Sequence, residues 1–216
     1  MLHKRRFKKF KIGLITLIVI MLAISLYVIL KPSEMTFEKG FHKILSYDER
    51  YNASFKFERL NKTMVDMNNI DPFVEDLERF KLKLMNYENT LDVQALMTLT
   101  DTRINMLMSE KYFHLGRNIG DIGIAAGGFR CSEQPYLINS AYYYNNSYTY
   151  GIRAYSQIDD ILNYYRNVTN LRKLVGIDET KIKFYTSPIF GAKSIADINV
   201  DALTKYCNYD KAKPLS

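Results

Sequence analysis

Residues 12–30 form an unbroken apolar segment, and this segment limits what the chain can fold into more than any other feature. It is 19 residues long and contains no charged side chain. At about 1.5 Å per residue, a helix of this length extends roughly 28 Å, close to the hydrocarbon thickness of a bilayer. A helix that is apolar on every side is also poorly suited to the surface of a soluble protein. The segment therefore predicts one transmembrane span.

The charges on either side of this segment predict its orientation. Six Lys or Arg residues lie within residues 1–11, whereas Lys31 alone follows the segment directly. Because the more positive flank of a span stays in the cytoplasm, we expect residues 1–11 to be a basic cytoplasmic leader and the chain after Lys31 to be extracytoplasmic. A cleaved signal peptide is the alternative, but its apolar region is usually about 7–15 residues long and a small-residue cleavage site follows it. We therefore expect a retained signal anchor.

The formal net charge of +7 comes from the beginning of the chain. Residues 1–31 hold seven Lys or Arg and no acidic residue, which leaves 23 basic against 23 acidic residues in the rest. Nucleic-acid affinity depends on clustered cations that displace counterions from the phosphate backbone. We therefore expect no nucleic-acid partner.

The two cysteines of the chain, Cys131 and Cys207, lie on the side that the charges place outside the cytoplasm. Thiols in an oxidising compartment usually pair, and two cysteines permit one pairing. We therefore predict a disulfide between them, with buried free thiols as the alternative. A nucleophilic Cys131 would need a neighbouring base, and nothing in the sequence places His42 or His114 beside it.

Proline and glycine positions divide residues 32–216 into helical segments, and almost no segment alternates as a strand would. The predicted fold class is all-α, with a single N-terminal transmembrane helix followed by a bundle of four to five helices. We expect residues 33–208 to form one helical extracytoplasmic domain and residues 209–216 to form a flexible tail.

Helices in the first half of this domain are predicted from capping residues and apolar spacing. Ser33 is expected to cap a helix that extends into the sixties. Asp71-Pro72 is a typical helix start. It precedes an apolar stripe with three- and four-residue spacing, which consists of Phe73, Leu77, Phe80, Leu84, Tyr87 and Leu91. A third helix is expected over residues 92–115, with Gly116 as its C-cap.

Helices in the second half are predicted in the same way. Ser132 is expected to cap a long helix that Asn145-Asn146 or Gly151 could bend. Its predicted core positions are Ile138, Ala141, Tyr148, Ile152, Tyr155, Leu162 and Tyr165. Residues 181–188 are expected to be an extended connection that Pro188 closes. A last helix over residues 195–207 is expected to bury Ile195, Ile198, Leu203 and Tyr206.

Five of the ten glycines lie between Gly116 and Gly128. A phosphate-binding loop needs a preceding strand and, in a P-loop, a Gly-Lys-Ser/Thr sequence, and neither is present. We therefore expect a crossover between two helices, with Phe129 packed into the core. Because no HExxH, CxxC or EF-hand pattern occurs, we expect no metal and no cofactor.

Tyrosine is concentrated in one region, since nine of the seventeen tyrosines lie between residues 136 and 165. Three consecutive helical residues cover about 200° of arc, so Tyr142, Tyr143 and Tyr144 cannot all face one core. Exposed tyrosine suits protein or glycan recognition, although tyrosines at the rim of an ordinary core are the alternative. The candidate binding surface consists of Tyr142, Tyr143, Tyr144, Tyr148, Phe129 and Arg130.

Asn-x-Ser/Thr sequons are candidate glycosylation sites, although about two would arise by chance in a chain of this composition. The four sequons begin at Asn52, Asn61, Asn145 and Asn167.

These features together predict a membrane-anchored extracytoplasmic helical interaction or scaffold protein of a cell-envelope assembly, with a protein partner in or near the same membrane. The alternative is an extracytoplasmic enzyme, or a glycan- or peptide-binding module, that uses residues 116–131 and the tyrosine-rich helix. In that case Asp121, Arg130, Glu133 or His114 should converge on a pocket. Self-association into a homo-oligomer is a third hypothesis. An enzyme is the less favoured class because no catalytic set of residues stands out.

Overall fold

The structure, a computed structural model, describes residues 17–22, 25, 34–53, 66–125, 131, 134–168, 171–175 and 179–210. The side chains at 121–125, 172 and 179–189 lie outside this description. Within it the chain forms α-helices and no strand, and the helices that follow Glu34 are α1 (Phe37–Arg50), α2 (Met67–Leu84), α3 (Leu91–Ala125), α4 (Gln134–Asn163), α5 (Leu171–Val175) and α6 (Glu179–Cys207). The predicted all-α helical bundle is therefore confirmed.

The chain divides into two compact units, Met1–Glu34 and Met35–Ser216. In the first unit, residues 17–22 are helical, and their six apolar side chains are between 49% and 64% exposed. None of the helices in the described part of the chain is both long and apolar enough to cross a membrane. Most of the predicted span at 12–30 and all of the predicted leader at 1–11 lie outside the described residues.

Helix α1 is shorter than predicted. Its N-cap is Thr36 rather than Ser33, and the Thr36 hydroxyl accepts a hydrogen bond from the Lys39 amide at 3.4 Å. The predicted continuation into the sixties is wrong, because Asn52 adopts a left-handed conformation with a φ of 52° shortly after the helix ends. The buried face of α1 consists of Phe37, Gly40, Phe41, Ile44, Tyr47 and Asp48.

Helix α2 begins before the predicted Asp71-Pro72 start. Its N-cap is Asp66, whose carboxylate accepts a hydrogen bond from the Asn68 amide at 3.0 Å. Pro72 therefore lies inside the helix at an exposed position, where it removes one helical hydrogen bond without ending the helix. The predicted apolar stripe is confirmed at Phe73, Leu77, Phe80 and Leu84, which are all buried. Leu91, the last residue of the predicted stripe, is exposed.

Asp66→Ala is expected to lower the free energy of unfolding by about 1 kcal/mol, because α2 loses the side-chain acceptor for one of its N-terminal amides. Asp66→Asn is the matched control and should be nearly neutral, since asparagine caps helices as well as aspartate. Urea denaturation followed by circular dichroism measures both variants. Equal losses in the two variants would contradict a capping role for this side chain.

The long helices α3 and α4 pack antiparallel at the centre of the domain. Ser109 and Ser147 each donate a hydrogen bond to the other's carbonyl oxygen at 2.8 Å. The Ser140 hydroxyl donates to the Gly116 carbonyl at 2.8 Å. Gly116 follows Ser109 along α3, whereas Ser140 precedes Ser147 along α4. Contacts thus advance along one helix as they recede along the other, which fixes the register of the pair.

Buried residues of α4 repeat alternately every three and four positions, the spacing of a coiled-coil seam. This seam consists of Leu137, Ser140, Tyr144, Ser147, Gly151, Ala154, Ile158 and Ile161. Among the predicted core positions, Ala141 and Leu162 are buried. Four other predicted positions flank the seam and are half-buried: Ile138, Tyr148, Ile152 and Tyr155. Tyr165 is also half-buried, but it lies just after the end of the helix. The helix continues without a break through Asn145-Asn146 and Gly151, the two positions at which a bend was predicted as an alternative.

Gly116 and Gly120 lie inside α3 and allow α4 to approach closely. A Cβ atom at Gly116 would lie 3.1–3.2 Å from ring atoms of Tyr144, and one at Gly120 would lie 2.8 Å from the Ser140 hydroxyl oxygen. The prediction that Gly116 ends the helix is therefore wrong, and so is the predicted start of the crossover there, because α3 continues to Ala125. Glycine serves here in the close approach of two helices rather than in a cap.

The main hydrophobic core lies between helices α1 to α5. Its largest fully buried side chains include Phe73, Leu96, Leu107 and Ile158. Two smaller clusters lie along α6. One joins Leu137 to Leu203 and Tyr209, and the other joins Tyr144 to Ala192 and Ala196.

Helix α6 occupies residues that were predicted to be extended. The extended connection over residues 181–188 is wrong, because Pro188 lies inside the helix. A proline restricts the residue before it but does not by itself end a helix. The predicted end at Cys207 agrees with the structure, and Asn208 follows it with a φ of 55°.

The buried face of α6 also differs from the prediction. Leu203 is buried and Ile195 is half-buried, but Ile198 and Tyr206 are exposed. Tyr209, which we expected in the flexible tail, is buried next to Leu203. Residues 211–216 of that tail lie outside the described residues.

Candidate functional site

The predicted disulfide between Cys131 and Cys207 is present, with an S–S distance of 2.04 Å and a Cα–Cα distance of 5.5 Å. It joins a residue just before α4 to the last residue of α6. Its 76-residue separation corresponds to roughly 4 kcal/mol in the chain-entropy account of cross-linking. Because both sulfurs are in the bond, neither cysteine is a free thiol that could act as a nucleophile.

The four tyrosines of the candidate binding surface fall on different sides of α4. Tyr144 is only 6% exposed, and its ring meets Phe113 edge-to-face at 5.3 Å between centroids. The ring centroid of Tyr148 lies 6.3 Å from that of Phe190 on α6. Tyr142 and Tyr143 are half-buried on another side of the helix. Phe129 and Arg130, the other two members, lie outside the described residues.

A stack of tyrosines joins α3 to α4 on this other side. The ring of Tyr112 lies between those of Tyr143 and Tyr150, with centroid distances of 5.9 Å and 5.5 Å and interplanar angles of 25° and 9°. Tyr142 meets Tyr143 at 5.5 Å, edge-to-face. The Arg153 guanidinium lies 5.6 Å from the Tyr150 ring centroid. We call these five residues the tyrosine stack.

Three members of the tyrosine stack were not predicted as binding residues from the sequence: Tyr112, Tyr150 and Arg153. The seven-residue spacing of Tyr143 and Tyr150 places them two helical turns apart on one face. The sequence alone therefore indicates that these two tyrosines lie on the same side of α4. Tyr112 belongs to another helix, so its place depends on the register of α3 against α4, which the sequence did not supply.

The phenol of Tyr112 remains protonated at neutral pH. Burial raises its pKa above the usual value, the phenols of Tyr150 and Tyr142 add to the rise, and Lys111 opposes it. Lys111 itself binds Asp71 at 2.6 Å. A protonated phenol both donates and accepts hydrogen bonds, so the tyrosine stack offers rigid aromatic area, hydroxyl groups and an exposed guanidinium, which are common at protein-binding surfaces.

Tyr112→Leu is expected to lower the free energy of unfolding by about 1–2 kcal/mol, since two aromatic contacts between α3 and α4 are lost. Tyr112→Phe keeps both stacked rings and should be close to wild type. Thermal denaturation of the two variants in parallel measures the difference. A loss in the phenylalanine variant as large as in the leucine variant would assign the effect to the hydroxyl and not to the stack.

The groups expected to converge in the alternative enzyme or ligand-binding hypothesis are described only in part. His114 is half-buried on α3, where burial and then Arg117 lower its pKa. Arg130, Glu133 and the side chain of Asp121 lie outside the described residues. The described part of the chain contains no group of three or more His, Cys, Asp or Glu side chains that could hold a metal ion.

The candidate glycosylation sites differ in accessibility. Asn52 and Asn167 are exposed, whereas Asn145 is half-buried within α4. The hydroxyl that completes the Asn145 sequon belongs to Ser147 and is engaged with α3. Asn61 lies outside the described residues.

A buried ion pair connects α1 to α3. Arg103 donates to the Asp48 Oδ1 atom from Nη2 at 2.6 Å and from Nε at 3.1 Å, and the two side chains are 6% and 5% exposed. The Arg103 guanidinium also lies 5.4 Å from the Phe73 ring centroid. Burial raises the pKa of Asp48 although Arg103 opposes the rise. Asp48 Oδ2 has no hydrogen-bond partner among the described residues. The pair lies between core helices, so we interpret it as structural.

The fold and the site define a disulfide-linked all-α bundle with an aromatic surface on its central helix pair. No protein-family model, curated protein or solved structure matches the chain.

Proposed function

We propose that this protein is a single-pass membrane protein with a cytoplasmic N-terminus, and that its helical domain binds a protein partner of the cell envelope outside the cytoplasm. The observation that carries the proposal is the apolar helix in the first unit. Residues 17–22 cover more than a full turn, and every one of their apolar side chains is about half exposed or more. Lipid is the solvent that such a surface fits.

Two further observations support this location. Six Lys or Arg residues precede the segment at 12–30, and Lys31 alone follows it directly. This asymmetry is typical of a span whose N-terminus stays in the cytoplasm. The bond between Cys131 and Cys207 suits an oxidising compartment, because cytosolic thiols are kept reduced in most cells.

The tyrosine stack is the surface that we assign to the partner. Tyrosine and arginine are enriched among the residues that dominate protein–protein binding energy, and the rings of the tyrosine stack are held rigid by one another, which reduces the entropy lost on binding. A membrane tether strengthens such an interaction, since it raises the effective concentration of partners in the same plane. A modest binding surface can therefore support a stable assembly.

Site-specific photo-crosslinking in native membranes tests this assignment. A photoreactive amino acid replaces Tyr142 in the full-length protein, and a matched variant carries it at Tyr164, which is 69% exposed and lies beyond the end of α4. We expect a discrete adduct with a second protein from position 142 and none from position 164. No adduct from position 142, or the same adducts from both positions, would overturn the assignment. An adduct of two copies of this chain would favour self-association instead.

A further inference from the structure

We propose that α6 is a redox-released latch. Reduction of the Cys131–Cys207 disulfide frees the described C-terminal part of α6 from α4, and helices α1 to α5 remain folded. This inference does not depend on the partner proposed for the tyrosine stack.

The main core does not contain the latch. Its buried residues and the half-buried residues packed against them come from α1 to α5 and the segments that join them. No side chain described on α6, over residues 190–207, belongs to that cluster. The main cluster of buried side chains thus has no described member from this part of the chain, and a segment that lies outside the main core can open separately from it.

Over residues 190–207, α6 packs on α4 and on Phe113 of α3 through two small clusters of side chains. Ala192 and Ala196 pack on Tyr144, and Leu203 packs on Leu137. Alanine side chains bury little apolar area, so they contribute little to holding a helix. Of the larger apolar side chains, Ile198 and Tyr206 are 65% and 62% exposed, whereas Phe190, which is 53% exposed, contacts the Tyr148 ring of α4 at 6.3 Å between centroids.

Hydrogen bonding adds a weak connection between the two helices. The Asn199 amide donates to the Ser140 hydroxyl oxygen at 3.3 Å, a distance at the long end for such a bond. The same Ser140 hydroxyl donates to the Gly116 carbonyl, so it keeps a partner within the α3–α4 pair after α6 leaves. The Ser140 hydroxyl therefore does not require α6.

The disulfide is placed to control this packing. It fixes the last residue of α6 beside the start of α4, so the helix end meets its docking surface at a high effective concentration. Cys131 is exposed and Cys207 is half-buried. A reductant therefore reaches the Cys131 sulfur more readily.

The release is a two-electron thiol–disulfide exchange with a dithiol reductant. One thiolate of the reductant attacks Sγ of Cys131, the S–S bond breaks, and Sγ of Cys207 leaves as a thiolate that takes up a proton. The second thiol of the reductant, as its thiolate, then attacks the reductant's own sulfur in the mixed disulfide. The reductant departs as a disulfide, and Cys131 is released as a thiol. The protein disulfide is reduced and the dithiol is oxidised.

Opening exposes the side of α4 that α6 covers. Leu137, Ser140 and Tyr144 lie on that side, and Tyr144 is next to the tyrosine stack in sequence and on the same helix. Reduction thus exposes the edges of Leu137 and Tyr144 that face α6, while the Tyr144 ring stays packed on Gly116 and Phe113 of α3. The redox state of one bond then determines how much of this helix is accessible.

Hydrogen–deuterium exchange of the full-length protein in detergent micelles, with and without dithiothreitol, tests the latch. After reduction we expect amide exchange over residues 190–207 to accelerate at least tenfold and exchange over residues 134–144 to increase. We expect α1, α2 and residues 91–107 to change less than twofold. Unchanged exchange over 190–207 would overturn the proposal, and so would a uniform increase across α1 to α4, which indicates one cooperative unit.

Two variants make the result independent of the reductant. Cys131→Ser combined with Cys207→Ser should show the reduced pattern without dithiothreitol. Ile198→Ala keeps the disulfide and alters a side chain of α6 that is 65% exposed, so it should match the oxidised wild type. If the double variant fails to fold, the reduction of folded wild type still decides, because global unfolding there contradicts the latch.

Discussion

Arg103→Leu is expected to lower the free energy of unfolding by about 3–5 kcal/mol, the usual cost when one partner of a buried ion pair is removed. The variant leaves the Asp48 carboxylate inside the core with no cation beside it. Asp48 Oδ2 already has no hydrogen-bond partner among the described residues, so the substitution removes the donors that serve Oδ1. Urea denaturation at neutral pH measures the loss.

The loss should depend on pH in a definite direction. Burial raises the pKa of Asp48 even in the presence of Arg103, and without the guanidinium this rise is no longer opposed. The folded state then holds the Asp48 proton more tightly than the unfolded state, so stability falls as pH rises through the folded-state pKa. The destabilisation should therefore be smaller near about pH 4 than near about pH 7.5.

The double variant Asp48→Leu with Arg103→Met is the control for this prediction. It removes both charges and fills similar volume, and we expect it to be close to wild type or more stable, as found for buried pairs in general. A single variant that loses less than about 1 kcal/mol would contradict a buried, mutually dependent pair. A pH-independent loss would show that Asp48 is not the group left uncompensated.

Gly116→Leu is expected to lower the free energy of unfolding by about 3 kcal/mol, at the upper end of the usual cost of overpacking. The Cβ atom alone would lie 3.1–3.2 Å from the Tyr144 ring, and the rest of the side chain has to separate α3 from α4. Separation also breaks the hydrogen bond from Ser140 to the Gly116 carbonyl. Chemical denaturation and the circular dichroism of the folded state measure the effect.

Gly191→Leu is the matched control, because it makes the same change inside another helix. A Cβ atom at Gly191 has nothing within 4 Å, and the position is exposed. We expect this variant to be neutral or up to about 1 kcal/mol more stable, since leucine favours helix over glycine. Similar losses at both glycines would contradict the close approach of α3 and α4.

The features that sequence predicted correctly depend on local pattern or on elimination. Phe73, Leu77, Phe80 and Leu84 carry a three- and four-residue spacing that one helix face produces by itself. The disulfide was predictable because two cysteines allow one pairing. Neither inference needs knowledge of which helix packs against which.

The features that sequence missed depend on that packing. Gly116 has the same identity in a C-cap and in a close helix contact, and only the position of Tyr144 distinguishes the two. Asp48 and Arg103 are 55 residues apart in sequence, so no local pattern joins them. Tyr112 likewise meets Tyr143 and Tyr150 only through the register of α3 against α4. The extended prediction before Pro188 failed for a local reason, since a proline inside a packed helix removes one hydrogen bond without ending the helix.

Protease accessibility of a C-terminal epitope tag on the full-length protein, measured in intact protoplasts or spheroplasts, tests the central claim most directly. A cytoplasmic marker protein reports whether the cells remain sealed. A membrane-anchored extracytoplasmic domain predicts that added protease removes the tag while the marker survives and the protein stays in the membrane fraction. A tag that is protected until the cells are lysed would place the domain in the cytoplasm and contradict both the proposed location and the assignment of a partner in the envelope.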